Sequence, residues 1–192
     1  MIIKEPKWKN WVVETTGHIF TPKLCQELID LSKTLKKEDG KISTTNEEDK
    51  FYLKTRKSTV SFIPFNKMQS VYNDINNLIQ QINRNNFGFN NIEMNQEAQI
   101  TEYQKGDFYS WHTDTAIDMS NEPVVRKLSM TVLLNDPSEF EGGDLQFANK
   151  TINPMKQGYA SIFASFLQHQ VTPVTKGVRR SLVMWFGGEP FK

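Results

Sequence analysis

The 192-residue sequence predicts a mainly β domain with flanking helices, a sandwich or barrel whose helices pack on one face. Three observations predict it. Two stretches before residue 84 space their apolar residues at helical intervals. From residue 98 onward the pattern changes to period two or to short apolar runs. Turn-forming clusters separate those runs, and helices come first and strands after, which argues against alternating βαβ units.

The first helix is predicted from Thr21 to Leu35. Thr21 is a suitable N-cap, Pro22 suits the first helical position, and Leu24, Leu28 and Leu31 recur along one side. Cys25 lies in that helix and is expected to be a buried small hydrophobe rather than a nucleophile. Residues 36–50, KKEDGKISTTNEEDK, are polar with both signs of charge and predict a solvated loop. STVSFIPF follows as a strand that Pro64 ends. A second helix is predicted over 66–83, with Met68, Val71, Ile75, Leu78 and Ile82 on one stripe. After the polar break NRNNFGFNN come seven strand-like runs: AQITEYQ, FYSWHTD, KLSMTVLLN, DLQFAN, YASIFAS, HQVTPVT and RRSLVMWFG. NDPSEFEGGD and TKGVR mark turns among them, with Gly142 and Gly143 expected in a tight turn or bulge ahead of DLQF.

Composition narrows the function classes. Apolar residues make up 38% and charged residues 23%, as in an ordinary globular domain, and the length suits one domain over 1–192. A net charge of +1 lacks the electrostatic footprint of a nucleic-acid binder, so nucleic acid is not an expected partner. Thirteen Phe and four Trp suggest a well-filled interior or an aromatic-lined cleft. The single cysteine allows no intrachain disulfide, and MIIKEPKWKNW has neither a signal-peptide run nor a membrane span. The expected location is cytoplasmic, with no membrane partner.

Only three histidines occur. His112 and Asp114, in FYSWHTD, are two residues apart, so on an extended segment they share a face and can converge on one ion. Alone, the pair does not separate a metal ligand from a core or surface histidine. His169, in SFLQHQVTPV, also begins a strand-like run. Two histidines and one carboxylate from separate strands can fill one face of an octahedron and leave the other positions open, as in non-haem Fe(II) oxygenases. His18 has no acidic neighbour at ligand spacing and is expected to be structural or at the surface. Arg179, ten residues after His169, begins a strand expected to pair back near His169. Ser181, Val183 and Trp185 share its face, and Arg180, Leu182 and Met184 take the other. A buried arginine fork suits a carboxylate, with Arg180 as the competing choice.

Three segments, YQKGDFYSWHTD, RKLSMTVLLNDPSEFEGGDLQF and HQVTPVTKGVRRSLVMWFGG, occur in the order found in the Fe(II)/2-oxoglutarate-dependent dioxygenases, and over roughly 97–188 the sequence resembles their prolyl-4-hydroxylase-like group. The resemblance implies a double-stranded β-helix (jelly-roll, cupin-like) core carried by 97–188, with residues 1–90 as helical and strand support. It implies that His112, Asp114 and His169 bind Fe(II), that Arg179 binds the distal carboxylate of 2-oxoglutarate, and that Tyr103 lies near this co-substrate. The chemistry implied is oxidative decarboxylation to succinate and CO2 with hydroxylation of a C–H bond, using O2 and with ascorbate as a further reductant. One departure concerns Leu133, which stands where some relatives carry a tyrosine that helps hold the co-substrate; Ser129 and Thr131, on the same face, are the candidate replacements.

The expected activity is therefore a prolyl-hydroxylase-type hydroxylation of a peptide or protein side chain. Two alternatives stand beside it: the same chemistry on a free amino acid, small molecule or nucleobase, and a jelly-roll binding module without turnover. Residues 40–57 are a candidate lid, with a plain surface loop as the alternative.

Overall fold

The computed structural model describes residues 11–40, 55–94, 96–115, 125–148, 152–153 and 155–189. Two sheets face each other. The larger, eight strands among the described residues, has the order β1 (Val12–Glu14), β12 (Ala160–Ala164), β8 (Val125–Leu133), β15 (Arg179–Gly188), β6 (Ala98–Tyr103), β4 (Thr59–Ile63) and β2 (Glu38–Asp39). A short strand β5 (Glu93–Met94) adds to the end of β15. The smaller sheet has the order β11 (Ile152–Asn153), β10 (Leu145–Phe147), β13 (His169–Val171), β7 (Phe108–His112) and β3 (Arg56–Lys57). A separate pair joins β14 (Val174–Gly177) to β9 (Phe140–Gly142). Paired strands are antiparallel throughout these ladders, and the jelly-roll core expected from the sequence is present.

Both predicted helices form, slightly shortened. Helix α1 spans Pro22–Thr34, and the Thr21 hydroxyl accepts from the Leu24 N–H as an N-cap. Helix α2 spans Gln69–Ile82 and runs into a wider turn, Asn83–Phe87, that Gly88 closes in a left-handed conformation. Both lie on the outer face of the larger sheet. Leu28 and Ile29 of α1 and Val71, Ile75 and Ile79 of α2 form one buried cluster with Ile100, Leu128, Met130, Val132, Ile162, Leu182 and Met184 of the strands. Cys25 is fully buried in this cluster, as expected. Its thiol is pushed up to about 11 by burial, the opposite of what a nucleophile needs.

Three expectations change, and one strand was not anticipated. HQVTPVT is two strands in different ladders, not one: Pro173 lacks the N–H needed to continue β13, and the chain resumes as β14 against β9. The strand of Arg179 does not pair back near His169. It runs between β6 and β8, with Arg179 opposite Tyr103, so Arg179 and His169 reach each other's neighbourhood across the two sheets. Within the polar stretch 36–50, Glu38–Asp39 forms a short edge strand on β4. Strand β1, unpredicted, pairs with β12. Residues 41–54 of the candidate lid fall outside the described residues.

The Gly142–Gly143 turn forms as expected, with φ of +74° and +68°. A Cβ on Gly142 would lie 2.4 Å from the Pro173 carbonyl oxygen, and one on Gly143 would lie 2.8 Å from Cδ of Arg179. Both the backbone conformation and the close approach require glycine here.

Candidate metal centre and co-substrate cleft

The inner face of the larger sheet is polar where its outer face is apolar. Gln99, Thr101 and Tyr103 on β6, Thr131 on β8, and Arg179 and Ser181 on β15 all line a cleft between the sheets. The smaller sheet supplies the opposite wall with Tyr109, His112, Leu145, His169 and Val171. The cleft has a volume of about 480 Å³ counted out to its mouth.

His112 ends β7 and His169 begins β13, and the two are direct cross-strand partners. Their rings lie 4.1 Å apart between centroids. Asp114 follows two residues after His112, and its main-chain N–H donates to the Ser165 carbonyl at 2.9 Å, which ties the segment to the turn after β12. One atom from each of His112, Asp114 and His169 lies within 4.8 Å of the others. His112 Nε2 is 3.5 Å from Asp114 Oδ1, and His169 Nε2 is 3.6 Å from Oδ2.

The tautomers follow from the outer contacts. His112 Nδ1 is 2.7 Å from the Ser110 carbonyl oxygen and His169 Nδ1 is 2.9 Å from that of Leu167. A carbonyl only accepts, so each Nδ1 carries its hydrogen, and when the ring is neutral each Nε2 has a lone pair to offer an ion beside Asp114. This is the outer-contact pattern of metal-binding histidines. Burial pushes the His169 ring below its ordinary value and favours the neutral, ligating form. Burial alone would push the Asp114 carboxyl up, but it is outweighed by the His112 and His169 rings in their protonated form and by the Ser129 hydroxyl, which hold it well below the usual carboxylate range. Two neutral imidazoles and an anionic carboxylate, open on the cleft side, suit a divalent iron-type ion.

Packing fixes the rings. Tyr109 stacks on His112 with centroids 3.4 Å apart and 11° between planes. Phe163 meets the His169 ring edge-on at 4.7 Å. The guanidinium of Arg56 lies 4.6 Å over the Tyr109 ring from β3.

Arg179 is only 2% exposed. It donates to Ser181 Oγ at 3.1 Å and contacts Met155 Sδ at 3.3 Å, and it makes no salt bridge among the described residues. Arg180, the competing choice, pairs with Glu102 at 2.8 Å on the other face of the strand. Tyr103 is buried in the cleft wall with the Arg179 guanidinium 5.7 Å from its ring centre. Thr131 lines the cleft, whereas Ser129 does not; its hydroxyl donates to Asp114 Oδ2 at 2.6 Å. Leu133 is buried beside Arg179 at an adjoining open hollow of about 580 Å³ counted out to solvent. His18 is exposed and lies away from this site, its Nδ1 against the Gln157 carbonyl at 3.0 Å.

Sequence reasoning missed Arg56 and Tyr109. Strict alternation places Tyr109 opposite in parity to His112, yet His169 pairs with His112 and Val171 with Tyr109, so β7 carries one extra residue there. That bulge turns Tyr109 to the histidine side. Gln99 and Thr101, by contrast, alternate with Ala98 and Ile100 and were within reach of a period-two argument.

Residues 98–187 match the model of the 2OG-Fe(II) oxygenase superfamily. A PKHD-type hydroxylase of Shewanella sp. (strain ANA-3) is 36% identical over 88 residues, which cover 43% of this chain and 39% of the relative. A PKHD-type hydroxylase of Azoarcus sp. (strain BH72) is 40% identical over 82 residues, covering 40% and 36%. The chain thus spans about two fifths of the length of the curated relatives it matches. Among solved structures, the viral collagen prolyl hydroxylase of Paramecium Bursaria Chlorella virus-1 in its 2OG complex superposes with a TM-score of 0.72 at 18% identity, covering 93% of this chain and 97% of that one. A Pseudomonas putida prolyl-4-hydroxylase gives 0.68 at 18% identity, covering 93% of each chain. A Trichoplax adhaerens prolyl hydroxylase, in complex with a hypoxia inducible factor oxygen degradation domain peptide fragment, gives 0.71 at 15% identity, covering 92% and 83%. The family match, the relatives and the architecture agree: residues 98–187 are similar to the 2OG-Fe(II) oxygenase superfamily, and the chain has a prolyl-4-hydroxylase-like fold.

Proposed function

We propose that the chain is an Fe(II)- and 2-oxoglutarate-dependent hydroxylase of the prolyl 4-hydroxylase type, oxidising a peptide or protein side chain with release of succinate and CO2. The observation that carries the reading is Arg179. It is a buried guanidinium without a salt bridge among the described residues, and it lines the same cleft as the converged His112, Asp114 and His169. A buried cation needs a partner, and a dicarboxylic co-substrate reaching from the metal to Arg179 supplies one.

In this reading the Nε2 atoms of His112 and His169 and the carboxylate of Asp114 hold Fe(II). Once bound, the ion supplies O2 activation at the expense of 2-oxoglutarate. Arg179, oriented by Ser181, binds the distal carboxylate, and Thr131 and Tyr103 flank it. Ser129 is left out of this set because it serves Asp114. The apolar walls, Val183, Trp185, Leu145 and Val171, exclude water from the reacting centre. Ascorbate is a further reductant in this scheme.

The peptide assignment draws on the Trichoplax neighbour, whose structure holds a peptide fragment. The chain is read as one domain, 1–192, with 1–90 supporting the catalytic core over 97–188, and as cytoplasmic. Among the described residues no helix is long and apolar enough to cross a membrane.

The test is aerobic turnover with Fe(II), 2-oxoglutarate and ascorbate against proline-containing peptides, free amino acids and nucleosides. The expected result is succinate release matched by one added oxygen atom on a peptide by mass spectrometry. Oxidation of a small molecule alone would overturn the substrate class. Absence of succinate under every condition would overturn the activity.

A further inference from the structure

We infer that Ser129 and Ser165 are positioning residues for Asp114, a relay of two hydroxyls that decides which carboxylate oxygen is left for a metal ion. The inference rests on the proposed Fe(II) site and extends it to two side chains outside the cleft wall.

The direction of the relay follows from proton counting. Asp114 Oδ2 lies 2.6 Å from Ser129 Oγ, and an ionised carboxylate can only accept, so the Ser129 proton is committed to it. Ser129 Oγ lies 2.9 Å from Ser165 Oγ. With its one proton spent, Ser129 can only accept there, so Ser165 donates to Ser129 and Ser129 donates to Asp114. Hydrogen bonds aligned in this way strengthen each other, and a donor to a charged acceptor is the stronger kind.

Ser165 holds Asp114 twice. Its main-chain oxygen accepts from the Asp114 N–H at 2.9 Å and the Thr115 N–H at 3.2 Å, and its own N–H donates to the Lys127 oxygen at 2.9 Å. One residue at the end of β12 therefore fixes the backbone of Asp114 directly and its carboxylate through Ser129. Ser129 is 1% exposed and Ser165 is fully buried, so water does not compete for these bonds. The result is an asymmetric carboxylate. Each oxygen faces a histidine, Oδ1 the His112 Nε2 at 3.5 Å and Oδ2 the His169 Nε2 at 3.6 Å, but Oδ2 already accepts the short Ser129 bond, so Oδ1 is the oxygen with its lone pairs left for an ion. Asp114 is thereby set as a one-oxygen ligand, which keeps further coordination positions open.

The test is anaerobic titration of Mn(II) or Fe(II) into the metal-free protein, with thermal unfolding of the same metal-free samples. Ser129→Ala is expected to weaken metal binding about 10- to 100-fold, the range for losing a partner behind a metal ligand. Ser129→Thr keeps a hydroxyl and is expected to restore affinity to near the unsubstituted protein. Ser165→Ala leaves the Ser129 to Asp114 bond and is expected to cost a few-fold. At saturating metal, 2-oxoglutarate affinity is expected to stay unchanged in all three. Unchanged metal affinity in Ser129→Ala, or no rescue by Ser129→Thr, overturns the relay. Should Ser129→Ala fail to fold, Ser165→Ala decides by itself, and an unchanged affinity there overturns the relay. An unsubstituted protein that binds neither ion overturns the proposed function itself, a result distinct from any of these.

Discussion

The two faces of the larger sheet are built from the same strands and could hardly differ more. On the face toward α1 and α2, β6, β8 and β15 present Ala98, Ile100, Leu128, Met130, Val132, Leu182 and Met184, all buried in one apolar cluster. On the face toward the smaller sheet the intervening positions present Gln99, Thr101, Ser129, Thr131, Arg179 and Ser181, also buried, yet polar or charged. Apolar burial at roughly 25 cal/mol per Å² stabilises the first face. The second costs solvation free energy that hydrogen bonds and a bound anion or ion must offset. Stability and function are thus assigned by residue parity along single strands, so neighbouring substitutions should have opposite kinds of effect.

The largest contrast is expected at Arg179. Arg179→Met should raise the KM for 2-oxoglutarate by about 30-fold or more, from the ~2 kcal/mol or more lost when one partner of a buried charge pair is removed. Its melting temperature should hold or rise, because an uncompensated buried charge is replaced by an apolar side chain. Initial rates over a 2-oxoglutarate series and a thermal scan check both halves. A large drop in Tm would break the comparison.

Three residues along the strand, Leu182 should do the reverse. Leu182→Ala is expected to cost about 2–5 kcal/mol of stability, or ~4–20 °C in Tm, through a cavity under the helices. Metal and 2-oxoglutarate affinity measured well below that Tm should not change. Thr131→Val tests a subtler site position. It keeps the shape, removes a hydroxyl from the cleft, and should raise the 2-oxoglutarate KM several-fold, about 1 kcal/mol, with little change in Tm.

The smallest effect is expected at Glu102, which pairs with Arg180. Burial alone would push its carboxyl up, but Arg180 and Lys37 outweigh it and hold it below the ordinary value. A carboxylate with a depressed folded-state pKa adds stability above its unfolded value, and that contribution is lost as pH falls through the folded value. Glu102→Gln should therefore flatten the loss of stability below about pH 4.5, measured by denaturant midpoints across an acid series, and leave neutral-pH activity in place.

Much of this arrangement was legible in residue order. Period two along AQITEYQ and RRSLVMWFG separates the two faces before any coordinates, and it placed Arg179, Ser181 and Trp185 together. Thr21 and Pro22 marked the start of α1 because capping chemistry is local. What could not be read was set by long-range pairing. Nothing in HQVTPVT says that its halves join different ladders, and nothing beside Arg179 says that its strand lies across from His169 rather than next to it. A bulge hid Tyr109, since one extra residue reverses parity. Ser129 shared the correct face with Thr131, but only the approach of Asp114 and Ser165 from other strands decided what its hydroxyl does.

The account depends most on His112, Asp114 and His169 acting together on one ion within reach of Arg179. The direct measurement is the anaerobic visible spectrum of the protein with Fe(II) on addition of 2-oxoglutarate, compared with His112→Ala and Arg179→Met. A weak charge-transfer band is expected in the unsubstituted protein, absent in His112→Ala, and reached in Arg179→Met only at much higher 2-oxoglutarate. An unsubstituted protein without the band, or a band that persists unchanged in His112→Ala, would contradict it.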